Sequence, residues 1–468
     1  MIAVSCCVCA LGLAAILLRL RRYRSWFSAP TQRDDQLPCR DTRTTIPIRI
    51  ESAGFSLPPG VDLQGRSVFL RLAVNASVLG FLLDPCIEMS DGARTLRQYF
   101  ERGASGQRYL NLSPFFQQDL RPGRRFGLRG RVIRWAAEAT LWVYDRPPIE
   151  GATVLVLAPH PDDAEIAAFG MYADRLSWVV TLTAGERETA HVPKHIPPDK
   201  RARWAASLRV ADSLIVPGMG GVPPARRANL VFPDGALEAM YREPSRPFSL
   251  AGDGATEEEE PLRCRLRSTN NLEQWRSGRA DCTWNELVEE LRWTLESTRP
   301  DIVVCPHPLI DIHPDHVYAT VALEQALRTI HTKPSLFLLY SVHHSGARLY
   351  PYGLASSVVS LPPGHADQWL ADSIYSHSLE PQTQQTKYFA IEAMHATRSC
   401  NDGMPQSLRQ VLKSLRQQIA AAVAGMSLDP SSFLRRAPRP NEIYYVVRAA
   451  GLSELIGRLP NLRSQASI

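Results

Sequence analysis

Hydrophobic residues in the central part of the chain form short continuous runs. These runs are rich in β-branched residues and read VLVLAP, WVVTLTAG, DIVVCPHP and LFLLYSV. Continuous apolar strands are typical of parallel sheets, which are covered on both faces. Stretches with helical periodicity lie between the runs, at 201–214, 283–298 and 316–330. This alternation predicts an α/β domain with a mostly parallel, Rossmann-like sheet and helices on both faces.

A different pattern precedes this region, between residues 45 and 148. Six short segments either alternate between apolar and polar residues or are continuously apolar. Turn sequences such as PPG, DG and RPG separate them. The segments are IPIRIES, SVFLRLAV, VLGFLLD, QRYLNLS, FGLRGRVIR and ATLWVYD. Strands at this spacing predict an antiparallel, β-sandwich-like domain or a barrel.

These patterns divide the 468 residues into five predicted segments. They are an apolar N-terminus with a basic flank (1–24), a polar linker (25–44), the β-rich domain (45–148), the α/β domain (149–450) and a tail (451–468). Within the α/β domain, the polar and acidic stretch at 245–281 predicts an insertion, and residues 407–426 have helical periodicity.

The N-terminus is the one targeting signal in the sequence. Residues 2–18 are uncharged, and this length is just enough for a helix that crosses a bilayer. Arginines follow the apolar run, whereas a cleavable signal peptide carries its positive charge before it. By the positive-inside rule we expect a single-pass anchor in the inner membrane, with the rest of the chain in the cytoplasm. A buried or interfacial helix is the alternative, which the absence of a polar face disfavours.

Charge and cysteine content exclude some function classes. The net charge of +6 is diffuse, and no basic stripe with interleaved aromatic residues is present. Nucleic acid is therefore not expected as a partner. The six cysteines beyond the N-terminus are dispersed, which is typical of free thiols in a reducing compartment.

Two polar clusters stand out because each follows a buried strand. His160-Pro-Asp162-Asp163 follows VLVLAP, and His313-Pro-Asp315-His316 comes shortly after DIVVCPHP. The carboxyl ends of parallel strands meet at one sheet edge, where ligands bind. Two imidazoles and a carboxylate from two loops can hold a divalent metal such as zinc. Each cluster alone could instead cap the next helix, but adjacent desolvated carboxylates favour a cation.

The same motifs resemble the LmbE/PIG-L family of zinc-dependent de-N-acetylases, which remove acetyl groups from amino-sugar conjugates. The resemblance rests on HPDDAE after an apolar strand and on the later HPDH, and it spans about half of the chain, residues 151–395. Three shorter segments give weaker support: VVTLTAGERE, LVFPDG and KYFAIEAMHATR.

The resemblance implies a role for each residue of the two clusters. The implied metal ligands are His160, Asp163 and His316. Asp162 is implied as the general base, and later as the acid that protonates the departing amine. His313 is implied to stabilise the oxyanion, and Asp315 to orient His313.

Four further residues are implied as substrate contacts: Asp234, Arg201, Lys387 and His395. On the helix that follows the second strand, many family members carry an arginine with an acidic residue three positions later. In this sequence the residue three positions after Arg201 is Trp204. A solvated helix face is therefore the alternative for Arg201. The alternatives are a turn residue for Asp234 and a core histidine for His395.

The resemblance and the apolar N-terminus together imply a metal-dependent de-N-acetylase at a membrane. The expected substrate is an N-acetylated amino sugar of a glycolipid or cell-envelope glycan, such as the lipopolysaccharide core. One alternative is a glycan-binding or scaffolding protein that keeps the metal site without turnover; another is an enzyme that cuts a different amide. The ligand set suits zinc, iron or cobalt. The β-rich domain either holds the glycan, positions the active site over the membrane, or is a spacer.

Overall fold

The computed structural model describes residues 33–37, 39–40, 43–51, 54–81, 83–117, 124–251, 261–271, 275, 282–344, 349–363, 371–397 and 432–459. The predicted anchor at 2–18, its basic flank and the predicted helix at 407–426 lie outside these residues, as does part of the predicted insertion. Among the residues described, no helix is both long and apolar enough to cross a membrane. The anchor therefore stays a prediction.

The N-terminal part of the described chain forms two antiparallel four-stranded sheets. The first contains β1 (Thr44–Arg49), β3 (Ser67–Ala76), β6 (Ser105–Asn111) and β8 (Ile133–Tyr144), in the order β1-β8-β3-β6. The second contains β2 (Gly54–Ser56), β4 (Cys86–Ser90), β5 (Thr95–Tyr99) and β7 (Arg125–Arg131), in the order β2-β7-β4-β5. Buried side chains of both sheets share one core, among them Leu72 and Leu141 from the first and Ile87 and Phe126 from the second. The predicted antiparallel region is confirmed, and we name it the β-sandwich.

Two predicted strands of the β-sandwich are wrong in detail. In VLGFLLD, Val78–Phe81 form a 3-10 turn instead of a strand, and Gly80 packs tightly against the carbonyl of Val132. FGLRGRVIR is not one strand, because Val132 has a φ of 53° and separates β7 from β8. β8 then continues through ATLWVYD. The short strands β2, β4 and β5 were not predicted.

The remaining strands form one seven-stranded sheet. They are β9 (Thr153–Ala158), β10 (Leu176–Thr183), β11 (Arg227–Phe232), β12 (Ile302–Pro306), β13 (Leu336–Tyr340), β14 (Ser373–Ser378) and β15 (Asn441–Arg448). Their order is β11-β10-β9-β12-β13-β15-β14. The first five are parallel, and β15 is antiparallel to both of its neighbours. The mostly parallel sheet is thus confirmed, whereas the antiparallel edge was not predicted.

Helices cover both faces of this sheet. They are α1 (Asp163–Ala167), α2 (Phe169–Ala173), α3 (Pro198–Ile215), α4 (Leu237–Arg242), α5 (Leu262–Arg267), α6 (Trp284–Thr298), α7 (Pro314–Thr329), α8 (Pro381–Ala393), α9 (Phe433–Arg436) and α10 (Ala449–Ile456). Alternate residues of β9 enter different cores: Leu155 packs in the core formed with α6 and α7, and Val156 in the core formed with α1, α2 and α8. This two-sided burial explains why β9 reads as a continuous apolar run.

The β-sandwich packs against the antiparallel edge of the large sheet through buried polar contacts. Ser376 of β14 donates its backbone N–H to Ser67 Oγ at 2.8 Å. The Asn111 side chain donates to Val359 O and Ser376 Oγ, at 2.8 and 2.9 Å. Buried hydrogen bonds require specific partners, so they fix the β-sandwich in one orientation on this edge.

Candidate metal centre

Three side chains converge at the carboxyl ends of β9 and β12. His160 and Asp163 follow β9, and His316 lies in the first turn of α7. His160 Nδ1, Asp163 Oδ2 and His316 Nε2 lie 3.1–3.2 Å from one another. Tetrahedral zinc with bonds of about 2.0–2.1 Å to nitrogen and oxygen places its ligand atoms about 3.3 Å apart. The implied ligands therefore meet in an arrangement that fits Zn²⁺.

A buried carboxylate orients His316 from behind. Asp311 Oδ2 accepts the Nδ1–H of His316 at 3.0 Å, and it also accepts the backbone N–H groups of Val342 and His343, at 2.8 and 3.1 Å. A carboxylate behind a ligating histidine fixes the tautomer and increases ligand basicity. Asp311 thus leaves Nε2 of His316 as the lone-pair nitrogen that faces the metal position.

The region offers more possible ligands than the three that were predicted. Three groups have ligand atoms within 4.8 Å of one another: His160 with His313 and His316, Asp163 with His316 and His343, and His160 with Asp234 and Asp315. His343 was missed because no motif surrounds it. It follows β13, so the rule that ligands gather beyond the carboxyl ends of parallel strands would have found it.

The electrostatics of the centre favour positive charge. Burial opposes protonation of His160, but the carboxylates of Asp163, Asp234 and Asp315 raise its pKa well above the usual range. Burial likewise opposes ionisation of Asp163, yet His316 and His160 lower its pKa well below the usual range. The same concentration of carboxylates stabilises a divalent cation.

Asp162 stands beside the ligands and is paired with an arginine. Arg209 Nη2 donates to Asp162 Oδ2 at 3.1 Å, and the Asp162 side chain is 14% exposed. Burial raises the pKa of Asp162, and Arg209 partly offsets this. A carboxylate with a raised pKa is a better proton acceptor at neutral pH.

His313 caps α7, and this contact fixes its tautomer. The backbone N–H of Asp315 donates to His313 Nδ1 at 3.2 Å, so the ring proton is on Nε2. Burial, together with His160 and His316, lowers the pKa of His313 and keeps it neutral. The carboxylate of Asp315 is used elsewhere: it accepts the backbone N–H groups of Gly235 and Leu237, at 2.6 and 3.1 Å. Asp315 therefore orients His313 through its backbone.

Of the predicted substrate contacts, Asp234 lies at the centre and His395 is held by α3. Asp234 Oδ1 is 3.3 Å from His160 Nε2, and Oδ2 accepts the backbone N–H of Arg187 at 3.2 Å. His395 Nδ1 lies 2.8 Å from Asp212 Oδ1, and its side chain is 35% exposed. It is therefore a paired and partly exposed residue.

The structure places Lys387 and Arg201 in other contacts. Lys387 is buried, and its Nζ donates to Glu442 Oε1 at 2.6 Å. Arg201 donates from Nε and Nη2 to the carbonyls of Ile196 and Lys194, at 3.0 and 2.9 Å. Within the described part of the chain, the hydrogen bonds of these two side chains do not reach the metal centre.

Arg209 and Asp212 were missed, although the sequence carries a signal for them. Asp212 lies three positions after Arg209, which is the spacing between an arginine and an acidic residue that Arg201 lacks. Gly185 is a second signal, because its φ is +67° and a Cβ there would lie 2.8 Å from the Arg209 guanidinium. The turn after β10 thus makes room for Arg209.

Comparison with known proteins agrees with the motifs. Residues 155–327 match the family described as PIG-L: GlcNAc-PI de-N-acetylase, which confirms the resemblance. The matched segment contains both clusters but ends before Lys387 and His395. No curated protein matches the chain.

Solved structures that are similar to this chain include two deacetylases and a hydratase. The zinc-inhibited form of teicoplanin deacetylase Orf2 is 18% identical, with 63% of this chain and 98% of that chain covered and a TM-score of 0.34. The A40926 pseudoaglycone deacetylase Dbv21 is 17% identical, with coverage of 64% and 98% and a TM-score of 0.33. GalB, the 4-carboxy-2-hydroxymuconate hydratase from Pseudomonas putida KT2440, is 12% identical, with coverage of 63% and 95% and a TM-score of 0.30.

Proposed function

We propose that this chain, which carries a domain of the PIG-L de-N-acetylase family, is a zinc-dependent hydrolase that removes the acetyl group from an N-acetylated amino sugar. The observation that carries the proposal is the convergence of His160 Nδ1, Asp163 Oδ2 and His316 Nε2 within 3.2 Å of one another. The Asp162 carboxylate, which is paired with Arg209, and the His313 imidazole stand beside these ligands.

Asp162 has the properties that amide hydrolysis requires of a general base. When bound, a divalent cation supplies Lewis-acid activation of water and of the amide carbonyl. Asp162 accepts a proton from the attacking water, whose oxygen forms a bond to the acetyl carbon. It then returns a proton to the nitrogen as the carbon–nitrogen bond breaks, so that acetate and a free amine leave. Burial keeps the pKa of Asp162 above its ordinary value, and this favours its action as the proton acceptor.

His313 supplies the hydrogen-bond donor that stabilises the oxyanion. Since its Nδ1 accepts the N–H of Asp315, its Nε2–H is free to donate to the oxygen that becomes negative in the transition state. Such preorganised donors stabilise developing charge more strongly than water does.

The finer substrate that we propose is a glycolipid or cell-envelope glycan, such as a hexosamine of the lipopolysaccharide core. The support is the sequence alone: residues 2–18 have the length and apolarity of a single-pass anchor, and arginines follow them. An enzyme held at the inner membrane with its catalytic domain in the cytoplasm meets lipid-linked sugars more often than free ones. At the site, Asp234 and Arg209 offer an acceptor and a donor for sugar hydroxyl groups.

Acetate release from total envelope glycolipid tests the proposal. We expect release by the zinc-loaded wild type and a rate lower by ~10²–10⁴ for Asp162→Asn with unchanged metal content. Asp199→Asn, at an exposed position in the first turn of α3, is the matched control and should keep the wild-type rate.

Other results would favour other functions. Metal bound in both proteins with no acetate from either would favour a glycan-binding role. Release of a different carboxylic acid would identify another amide as the substrate. Equal rates for the wild type and Asp162→Asn would refute the assignment of the base.

A further inference from the structure

Four apolar side chains are exposed together at one end of the β-sandwich. In the segment between β3 and β4, Val78 is 85% exposed, Leu79 57%, Leu83 41% and Phe81 36%. The other large apolar residues that are exposed in the described chain are Leu176, Trp204, Ile215, Met219, Ile312 and Phe389. A local concentration of this kind marks an interaction surface more often than single exposed residues do. We name Val78–Phe81 together with Leu83 the apolar loop.

The backbone of the apolar loop is held firmly. Ser77 donates its N–H to Val132 O at 2.9 Å, and Gly103 donates to Gly80 O at 3.1 Å. Inside the loop, the Gly80 N–H donates to Ser77 O at 2.8 Å and the Leu83 N–H to Leu79 O at 2.9 Å. The turn therefore holds Val78 and Leu79 exposed on a fixed backbone, whereas the Phe81 ring lies against Gly103.

Exposed arginines border the apolar loop. Arg129, Arg131 and Arg134 are exposed on the β7–β8 hairpin, whose Val132 carbonyl accepts the Ser77 N–H. Two acidic residues lie nearby, and both are already paired. Asp84 Oδ1 is 2.7 Å from Arg102 Nε. Glu88, which stands opposite Arg129 in the β4–β7 register, has Oε2 2.8 Å from Arg97 Nε. Residues 43–147 contain fifteen arginines and nine acidic residues, so this segment alone has an excess of positive charge equal to the net charge of the chain.

We propose that the apolar loop docks the β-sandwich on a lipid bilayer, with its side chains in the interfacial region and the neighbouring arginines on anionic headgroups. A projecting apolar turn with a basic border has the chemistry that interfacial binding uses, namely apolar insertion together with attraction to anionic lipid. The β-sandwich is also the first described domain after the predicted anchor. The proposal does not depend on the catalytic activity.

Photocrosslinking on the full chain tests this contact. Leu79→p-benzoylphenylalanine is reconstituted in vesicles of phosphatidylcholine with roughly a third phosphatidylglycerol, and lipid adducts are measured by mass spectrometry. The matched control is Ala93→p-benzoylphenylalanine, because Ala93 is exposed on the same β-sandwich in the turn at the opposite end of β4. We expect an adduct yield at position 79 about ten times that at position 93, since only the loop inserts.

The charge component has a test of its own. Arg129→Gln together with Arg134→Gln should lower the adduct yield at position 79 on the order of tenfold in the anionic vesicles, because each basic residue near the surface adds to the attraction. Equal yields at positions 79 and 93, or no adduct at position 79, would overturn the proposal. Adducts to a protein instead of lipid in native membranes would also overturn it and identify a partner protein.

Discussion

Replacing Asp311 by asparagine tests whether the metal centre depends on the carboxylate behind His316. Asp311 is 3% exposed, and four N–H groups converge on its two oxygens. Oδ2 accepts from His316 Nδ1 and from the backbone of Val342 and His343, and Oδ1 accepts the backbone N–H of His313 at 3.0 Å. Asparagine has the same shape but only one oxygen and no charge.

The size of the effect follows from these contacts. The amide oxygen satisfies most donors when it occupies the Oδ2 position, and its NH₂ group then faces the N–H of His313. One buried donor without an acceptor costs about 1–3 kcal/mol of the free energy of unfolding. His316 keeps a hydrogen bond but loses its negative partner. Loss of such a partner typically weakens metal binding by about 10–100-fold.

The assay is competition for Zn²⁺ between the full chain and a chelating dye, with thermal unfolding measured in parallel. Asp301→Asn is the matched control. Asp301 lies just before β12 and is exposed, and it accepts one backbone N–H, that of Thr153, at 2.8 Å. We expect zinc affinity to fall for Asp311→Asn and to stay unchanged for Asp301→Asn. A folded Asp311→Asn protein with wild-type zinc affinity would refute the reasoning.

Three other substitutions test separate parts of the structure. His316→Ala should remove bound zinc, as measured by elemental analysis, because it deletes one of three converging donors; full zinc content would place the ligand elsewhere. Gly185→Ala should displace the Arg209 guanidinium and lower the deacetylation rate on the order of 100-fold at constant metal content, since misplacements of about 1 Å have such effects; a wild-type rate would contradict this. Lys387→Met should lower the free energy of unfolding by about 3–5 kcal/mol because Glu442, although it keeps hydrogen bonds from Gly170 and Tyr444, is left buried without its cation. Chemical denaturation measures the loss, and no recovery in the double variant Lys387→Met, Glu442→Gln would argue against pairing as its cause.

The sequence predicted those residues of the candidate site that lie at the ends of strands. His160, Asp163 and His316 could be placed together because each follows a buried strand of a predicted parallel sheet. Asp311 carries no comparable mark, since an aspartate in a loop is ordinary in most sequences. Arg209 carries only weaker marks, which are its spacing to Asp212 and the glycine at position 185. Lys387 shows the reverse case: it lies in a segment that resembles the family, yet its ammonium group is paired with Glu442.

The sequence by itself determined the local structure and the ends of the central strands. Apolar runs specify strands that are buried on both faces, and the polar residues that stop them must lie at the sheet edge. Tertiary structure decided which distant side chains meet. Asp311 accepts the backbone N–H of Val342, which follows a different strand, and Arg209 reaches Asp162 because Gly185 leaves space for its guanidinium. It also decided that VLGFLLD became an exposed turn, because an apolar segment forms a strand only where a neighbouring strand offers its backbone. Such pairings depend on packing between elements that are far apart in the chain, and a local pattern does not contain them.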